Sequence, residues 1–205
     1  METMQHPLTF IFVGRSGSGK GTQSGLLQKY ISEHTADSFN YSFDMGTAFR
    51  TFMAVDGYPQ TVAREIINTG NLMPDFMTIS LFTNALLENL KDQNLFIDGI
   101  PRSVAQVDAV MQAMIYFKRI NPIIIDINIS SPEARGRMLA RARADDTDAS
   151  IASRFAFYEN TVLPAVKYLR EKSGYTYFEF DGERSIEEIH QDIITRLKPL
   201  LPITQ

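Results

Sequence analysis

The chain has 205 residues and a formal charge of −4, with 44% apolar and 21% charged residues, which suits one globular domain large enough to bury its own core. The absence of cysteine excludes a disulfide framework, a thiolate metal site and a cysteine nucleophile. The mild negative charge excludes a global basic field for nucleic acid, and no run reaches the ~18 apolar residues of a membrane span, so the expectation is a cytoplasmic protein with neither a nucleic-acid nor a membrane partner.

Leu8–Val13 reads as a β-strand ending at Gly14. It follows no basic segment and is shorter than the roughly 7–15 residues of a signal-peptide core. Gly19–Glu33 reads as a helix with Leu26, Leu27, Tyr30 and Ile31 on one face, and Phe39–Phe43 as a second strand. Residues 46–91 carry helical patterns broken near Gly57-Tyr58-Pro59 and Gly70–Pro74. This block has no strand and is long for one crossover, which predicts a helical lobe inserted at the sheet's edge. Leu95–Ile97 is a strand running into Asp98-Gly99, Ser103–Arg119 a helix, and Pro122–Ile129 a strand rich in β-branched residues. Ser131-Pro132-Glu133 opens another helix, with proline just inside its start. Ala149–Lys172 reads as one long helix that Pro164 should kink. Tyr175–Phe180 is the last strand, and Ser185–Leu197 the closing helix, begun by the capping box of Ser185 and Glu188. Strands alternating with helices predict an α/β fold, a five-stranded parallel sheet with helices on both faces, in one domain.

Chemistry concentrates in Gly14-Arg15-Ser16-Gly17-Ser18-Gly19-Lys20-Gly21-Thr22, between the first strand and the first helix. Glycines allow backbone amides to approach an anion, the helix N-terminus adds positive potential, and Lys20 supplies a full charge. Asp98 follows an apolar strand, as a Walker-B aspartate does. Arginine outnumbers lysine 13 to 7, with Arg135, Arg137, Arg141 and Arg143 within nine positions. Planar guanidinium favours phosphate. On the residues alone, this cluster reads equally as a solvated helix face balanced by Asp145, Asp146 and Asp148. The three histidines, His6, His34 and His190, lie far apart and form no ligand pattern.

Gly17-Ser18-Gly19-Lys20-Gly21-Thr22-Gln23 resembles the phosphate loop of adenylate kinases and related nucleoside monophosphate kinases. Asp98-Gly99-Ile100-Pro101-Arg102, with Gln106 four residues on, resembles that family's Asp-Gly-aromatic-Pro-Arg motif. Arg143-Ala144-Asp145-Asp146 resembles its lid motif, and Gly46–Arg50 and Gly70–Pro74 resemble its monophosphate-binding helices. The resemblance implies a P-loop kinase fold with a core at about 1–43, 74–136 and 150–205, an acceptor-binding lobe at about 44–73 and a short lid at about 137–149. It implies a monomer that converts MgATP and AMP to two ADP, with Mg²⁺ as cofactor.

For the donor it implies Gly17, Ser18, Gly19, Lys20, Gly21, Thr22, Arg137 and Arg141, with Arg137 stacking on adenine. For the acceptor it implies Met45, Gly46, Arg50, Met73, Gly99, Arg102, Gln106, Arg143 and Arg154. Lys20, Arg102, Arg141, Arg143 and Arg154 then carry catalysis, and Thr22 and Asp98 position the metal, partly through water. Three features depart from the family pattern. Ser16 replaces a proline, which predicts a less rigid loop. Met45-Gly46-Thr47 replaces Thr-Gly-Asp, so that Met45 is expected to pack on the acceptor base. Only Ala142 separates Arg141 from the lid motif, which makes the lid minimal. The alternatives are a kinase for CMP, UMP or another monophosphate, a nucleotide-sensing protein without turnover, and a nucleic-acid-dependent ATPase. The last lacks a basic stripe.

Overall fold

The computed structural model describes residues 7–35, 39–68, 73–119, 121–141, 147–172 and 174–201. His6, Gly70–Leu72 and the Arg143–Asp146 motif lie outside the described residues. Five strands, β1 (Thr9–Val13), β2 (Asn40–Asp44), β3 (Asn94–Asp98), β4 (Ile123–Asn128) and β5 (Thr176–Asp181), form one parallel sheet in the order β2-β3-β1-β4-β5. The helices are α1 (Lys20–His34), α2 (Met45–Met53), α3 (Tyr58–Asn68), α4 (Asp75–Asn89), α5 (Val104–Tyr116), α6 (Ser131–Arg141), α7 (Asp148–Phe157), α8 (Leu163–Glu171) and α9 (Ile186–Leu197). This is the parallel α/β sheet that the alternation of strands and helices predicts, and it is the architecture of the P-loop kinase fold that the resemblance implies.

Both faces of the sheet are covered, so its strands are apolar at consecutive positions rather than alternate ones. Phe10 and Phe12 of β1 pack with Leu27 and Ile31 of α1 and with Ile193 and Leu197 of α9. Ile11 and Val13 face the other way, toward Phe82 and Leu86 of α4, Val107 and Val110 of α5, and Leu169 of α8. The register aligns the strand ends: Asp98 lies level with Phe12 on one side and Asp44 on the other. Next to them, Asp126 of β4 lies level with Val13 and Glu179. The row of carboxylates thus stands along the C-terminal edge, where open parallel sheets bind their ligands.

Helices α2, α3 and α4 occupy the block at 46–91; the break predicted near Gly57-Tyr58-Pro59 is present, and most of the one predicted at Gly70–Pro74 lies outside the described residues. Of these, α4 packs beside α5 and against α2, whose Met45, Ala48 and Phe49 join the same core. The helix predicted over 149–172 is present over Asp148–Glu171 and contains one wider turn in place of the expected kink. It divides into α7, a π-helical turn at Tyr158–Val162, and α8 with Pro164 in its first turn. Pro164 has no N–H to donate, and its ring collides with the carbonyl four residues back in an α-helix; one wider turn relieves the collision. The capping box is present at Ser185 and Glu188. Among the described residues no helix is long and apolar enough to cross a membrane.

Leu27 is 0% exposed in one core and Ile115, at the end of α5, is 75% exposed. Leu27→Ala should therefore cost about 2–5 kcal/mol in urea unfolding, whereas Ile115→Ala should change stability by less than about 0.5 kcal/mol.

Candidate active site

The loop after β1 wraps the N-terminus of α1. Gly19 stands at the N-cap in a left-handed conformation and offers no side-chain acceptor, so the first-turn amides remain directed at whatever anion arrives. Gly17 has φ +86°, and a Cβ there would lie 2.7 Å from the Ala134 carbonyl oxygen of α6. Only glycine lets the loop rest on that helix. Ser18 is buried at the loop's centre, while Gly21 and Thr22 are exposed on the first turn of α1.

The Lys20 ammonium donates to the Arg15 carbonyl at 2.9 Å, a bond that holds the side chain back over its own loop. Burial pushes its pKa down; Asp98 and Asp126 oppose that shift, and Arg102 and Arg141 add to it. Asp98 is affected in the opposite sense: burial raises its pKa, Lys20 opposes, and Asp44 adds to the rise. Burial also lowers Arg102, against the pull of Asp98 and Asp44 and with further repulsion from Arg154. Each of these three side chains keeps some contact with solvent, yet burial is the largest influence on all of them. The structure thus brings Lys20, Asp98, Arg102, Arg141 and Arg154 within charge range of one another, although they come from α1, the end of β3, the loop before α5, and helices α6 and α7.

Beside them, Asp44 caps α2 by accepting from the Thr47 amide at 2.7 Å and the Thr47 hydroxyl at 2.6 Å. Arg50 donates to the Thr47 hydroxyl at 2.8 Å and stands 3.5 Å from Asp44. Gly46 lies in the same turn, against the Asp44 and Arg50 side chains. Burial alone would raise the Asp44 pKa, but the two Thr47 hydrogen bonds and Arg50 outweigh it and leave the carboxyl below its ordinary value. Gly99 has φ +83°, and a Cβ there would meet the Met45 Cβ at 2.9 Å, so the turn after β3 lies directly on α2. Met45 itself is only 2% exposed, within the core. Met73 is half-buried just before α4. Gln106 is 4% exposed; its carbonyl accepts the Arg102 amide at 2.8 Å and its amide group donates to Asp75 at 2.7 Å.

A family model for adenylate kinase matches residues 12–174. The chain is 33% identical over 186 residues to an adenylate kinase of Campylobacter hominis, covering 90% of this chain and 92% of that one. It is 31% identical over 194 residues to an adenylate kinase of Campylobacter concisus, covering 94% and 98%, and 27% identical over 183 residues to one of Prochlorococcus marinus, covering 89% and 94%. The chain belongs to the adenylate kinase family. It is a nucleoside monophosphate kinase, a phosphotransferase.

Two parts of this kinase's site are not evident from its motifs. Arg15, next to the glycines, donates to the Ser131 hydroxyl at the start of α6 and to Glu159 at 3.0 Å. Its guanidinium also lies 4.6 Å from the centre of the Tyr158 ring. It therefore fastens the phosphate loop to α6 and to the π-helical turn that follows α7. That restraint acts where Ser16 leaves the loop without the family's proline. Asp75, the first residue of α4, reads in sequence only as an acidic residue at a helix start. On α6, Arg137 pairs with Glu133 at 2.7 Å, and Arg141 is exposed at the helix end. Arg135, which by its phase reads as a solvated residue, is exposed and pairs with Asp148 of α7 at 2.9 Å, joining α6 to α7. Arg143 lies outside the described residues.

Two measurements test these fixtures. Arg15→Ala should lower stability by about 1–3 kcal/mol through loss of a charge-assisted bond and a cation–π contact, read by urea unfolding. Asp44→Ala should cost about 1 kcal/mol at pH 7 through loss of the N-cap. Because the Asp44 carboxyl is held below its unfolded value, its stabilisation is complete above about pH 4 and is lost as pH falls through its folded pKa. The stability gap between wild type and Asp44→Ala should therefore narrow on acidification.

Proposed function

We propose that this kinase transfers the γ-phosphoryl group of MgATP to AMP, giving two ADP. The observation that carries the reading is the crowd of cations from separate elements, Lys20, Arg102, Arg141 and Arg154, between an uncapped helix N-terminus and the enclosed amide of Gln106. Phosphoryl transfer requires positioning, charge neutralisation and exclusion of water more than covalent help. The attacking group is itself a phosphate oxyanion, so no side chain has to serve as general base.

In this reading the amides of Gly17, Ser18, Gly19, Gly21 and Thr22, with Lys20, hold the donor phosphates. Arg137 lies along the donor adenine. Arg50 and Arg102 grip the acceptor phosphate, since a guanidinium fork can bind two oxygens at once, and Gly46, Met73 and Gly99 line the acceptor's path. Met45 braces Gly99 from below. Arg141, Arg143 and Arg154 surround the transferring group. Residues about 44–73 form the acceptor lobe and about 137–149 the lid. The reading assigns a monomer as the working unit and the cytoplasm as its compartment.

The donor set suits Mg²⁺. Asp98 offers a carboxylate beside Gly21 and Thr22 an exposed hydroxyl, both hard oxygen donors, and Mg²⁺ commonly takes only one or two protein ligands beside phosphates and water. When bound with ATP it would neutralise charge on the donor phosphates. Asp98 and Thr22 would hold it beside Lys20.

The base assignment rests on Gln106. Its carbonyl faces an N–H and its amide group a carboxylate, so the side chain cannot reverse without opposing like with like. One lone pair and one N–H remain, which match the 6-amino group and N1 of adenine. Uracil requires the reverse order; cytosine has the same order on a smaller ring.

Purified protein with MgATP and AMP, CMP, UMP or GMP, with products separated by chromatography, should give the highest kcat/KM for AMP. A higher value for a pyrimidine would overturn the AMP assignment. Lys20→Met should retain the fold and lose activity by about 10²–10³ or more.

A further inference from the structure

Gln106 faces a problem that its own chemistry cannot solve. A primary amide is nearly symmetrical in shape, so a half-turn about its last bond exchanges donor for acceptor and reverses the base it reads. Two bonds oppose that turn, and they come from different elements. The Arg102 amide donates to Oε1 at 2.8 Å, and Nε2 donates to Asp75 Oδ1 at 2.7 Å. Asp75 is fixed in its turn, because the Ser103 hydroxyl donates to Oδ2 at 2.8 Å. Ser103 also caps α5 by accepting the Gln106 amide N–H at 3.2 Å. Each carboxylate oxygen therefore has its own donor from the start of α5, and the first turn of α4 is joined to that of α5 through one side chain.

We infer that Asp75 is a positioning residue that sets acceptor-base selectivity by locking the orientation of the Gln106 amide. The inference rests on the reading of Gln106 as the contact to the acceptor base. An aspartate is suited to this because its carboxylate only accepts, so it rejects the flipped amide outright. An asparagine could turn with its neighbour, and an apolar residue would leave the choice to Arg102 alone. The same network links base to phosphate, since the residue whose amide anchors Gln106 is Arg102.

The test is the ratio of kcat/KM for AMP to that for UMP. In Asp75→Ala the ratio should fall about fivefold to tenfold, the worth of one bond to a buried amide. The loss should come through the KM for AMP, with the KM for ATP within about twofold of wild type. Asp75→Asn should give a smaller fall in the same direction, and it carries the test if the alanine variant does not fold. Asp75→Ala combined with Gln106→Ala should match Gln106→Ala alone, because a lock has no effect once the part it holds is gone.

A ratio unchanged in Asp75→Ala overturns the inference, as does a uniform loss across all monophosphates and ATP, which would mark a purely structural role. A ratio that moves in Asp75→Ala but not in Gln106→Ala also overturns it. If Gln106→Ala moves the ratio and Asp75→Ala does not, the reading of Gln106 survives and only the lock fails. If wild type prefers CMP, the AMP assignment fails, yet the CMP-to-UMP ratio carries the same test, because cytosine shares adenine's donor–acceptor order.

Discussion

Cations held close together and partly out of water are the constraint on which this site depends. Lys20 and Arg102 are both pushed by burial toward losing their protons, and each also feels a further arginine. Asp98 and Asp44 hold them in place, but Asp98 is itself strained toward protonation by burial and by Asp44. Such an arrangement is unfavourable alone and becomes favourable when a polyanion enters. The rest of the fold serves that arrangement. Parallel strands bring Asp44 and Asp98 to one level, the glycine loop presents an uncapped helix N-terminus, and tight contacts at Gly17 and Gly99 bring α6 and α2 against it.

In the proposed function, binding energy on the acceptor side is organised around a single peptide. The Arg102 amide fixes Gln106, while the Arg102 side chain responds to Asp98, Asp44 and Arg154. A base that seats well at Gln106 thus steadies the residue proposed to hold its phosphate, which is how remote binding energy can serve the reacting centre. On the donor side, Arg15 plays a comparable part by linking the phosphate loop to the turn after α7. Arg154, on α7, is carried by an element that is itself tied to the loop.

The strands, the helices and the glycine-rich loop between β1 and α1 were legible in the sequence because their signals are local: apolar runs, caps and closely spaced glycines. What was not legible depends on partners distant in the chain. Arg15 reaches residues 116 and 144 positions away, and Asp75 meets Gln106 across 31, so neither pairing leaves a local pattern. Arg135 was legible as a solvated residue balanced by nearby aspartates, and Asp148 on the next helix is the one it pairs with. The helix over 149–172 was legible, as was its proline; the sequence did not show that the helix answers the proline with one wider turn rather than a kink. Met45 was expected at the base from its position in a motif; the structure shows it buried beside Gly99, a contact between α2 and the turn after β3 that leaves no local pattern.

The central claim is that donor and acceptor phosphates meet in one cationic site. Calorimetric binding of two adenosines joined by five phosphates, set beside ATP and AMP measured singly, tests it most directly. One molecule should bind per chain, about 10²-fold or more tighter than either nucleotide, and it should exclude both. An affinity no better than that of ATP, or two molecules bound per chain, would mean that the two phosphate sites do not face each other across Lys20 and Arg102.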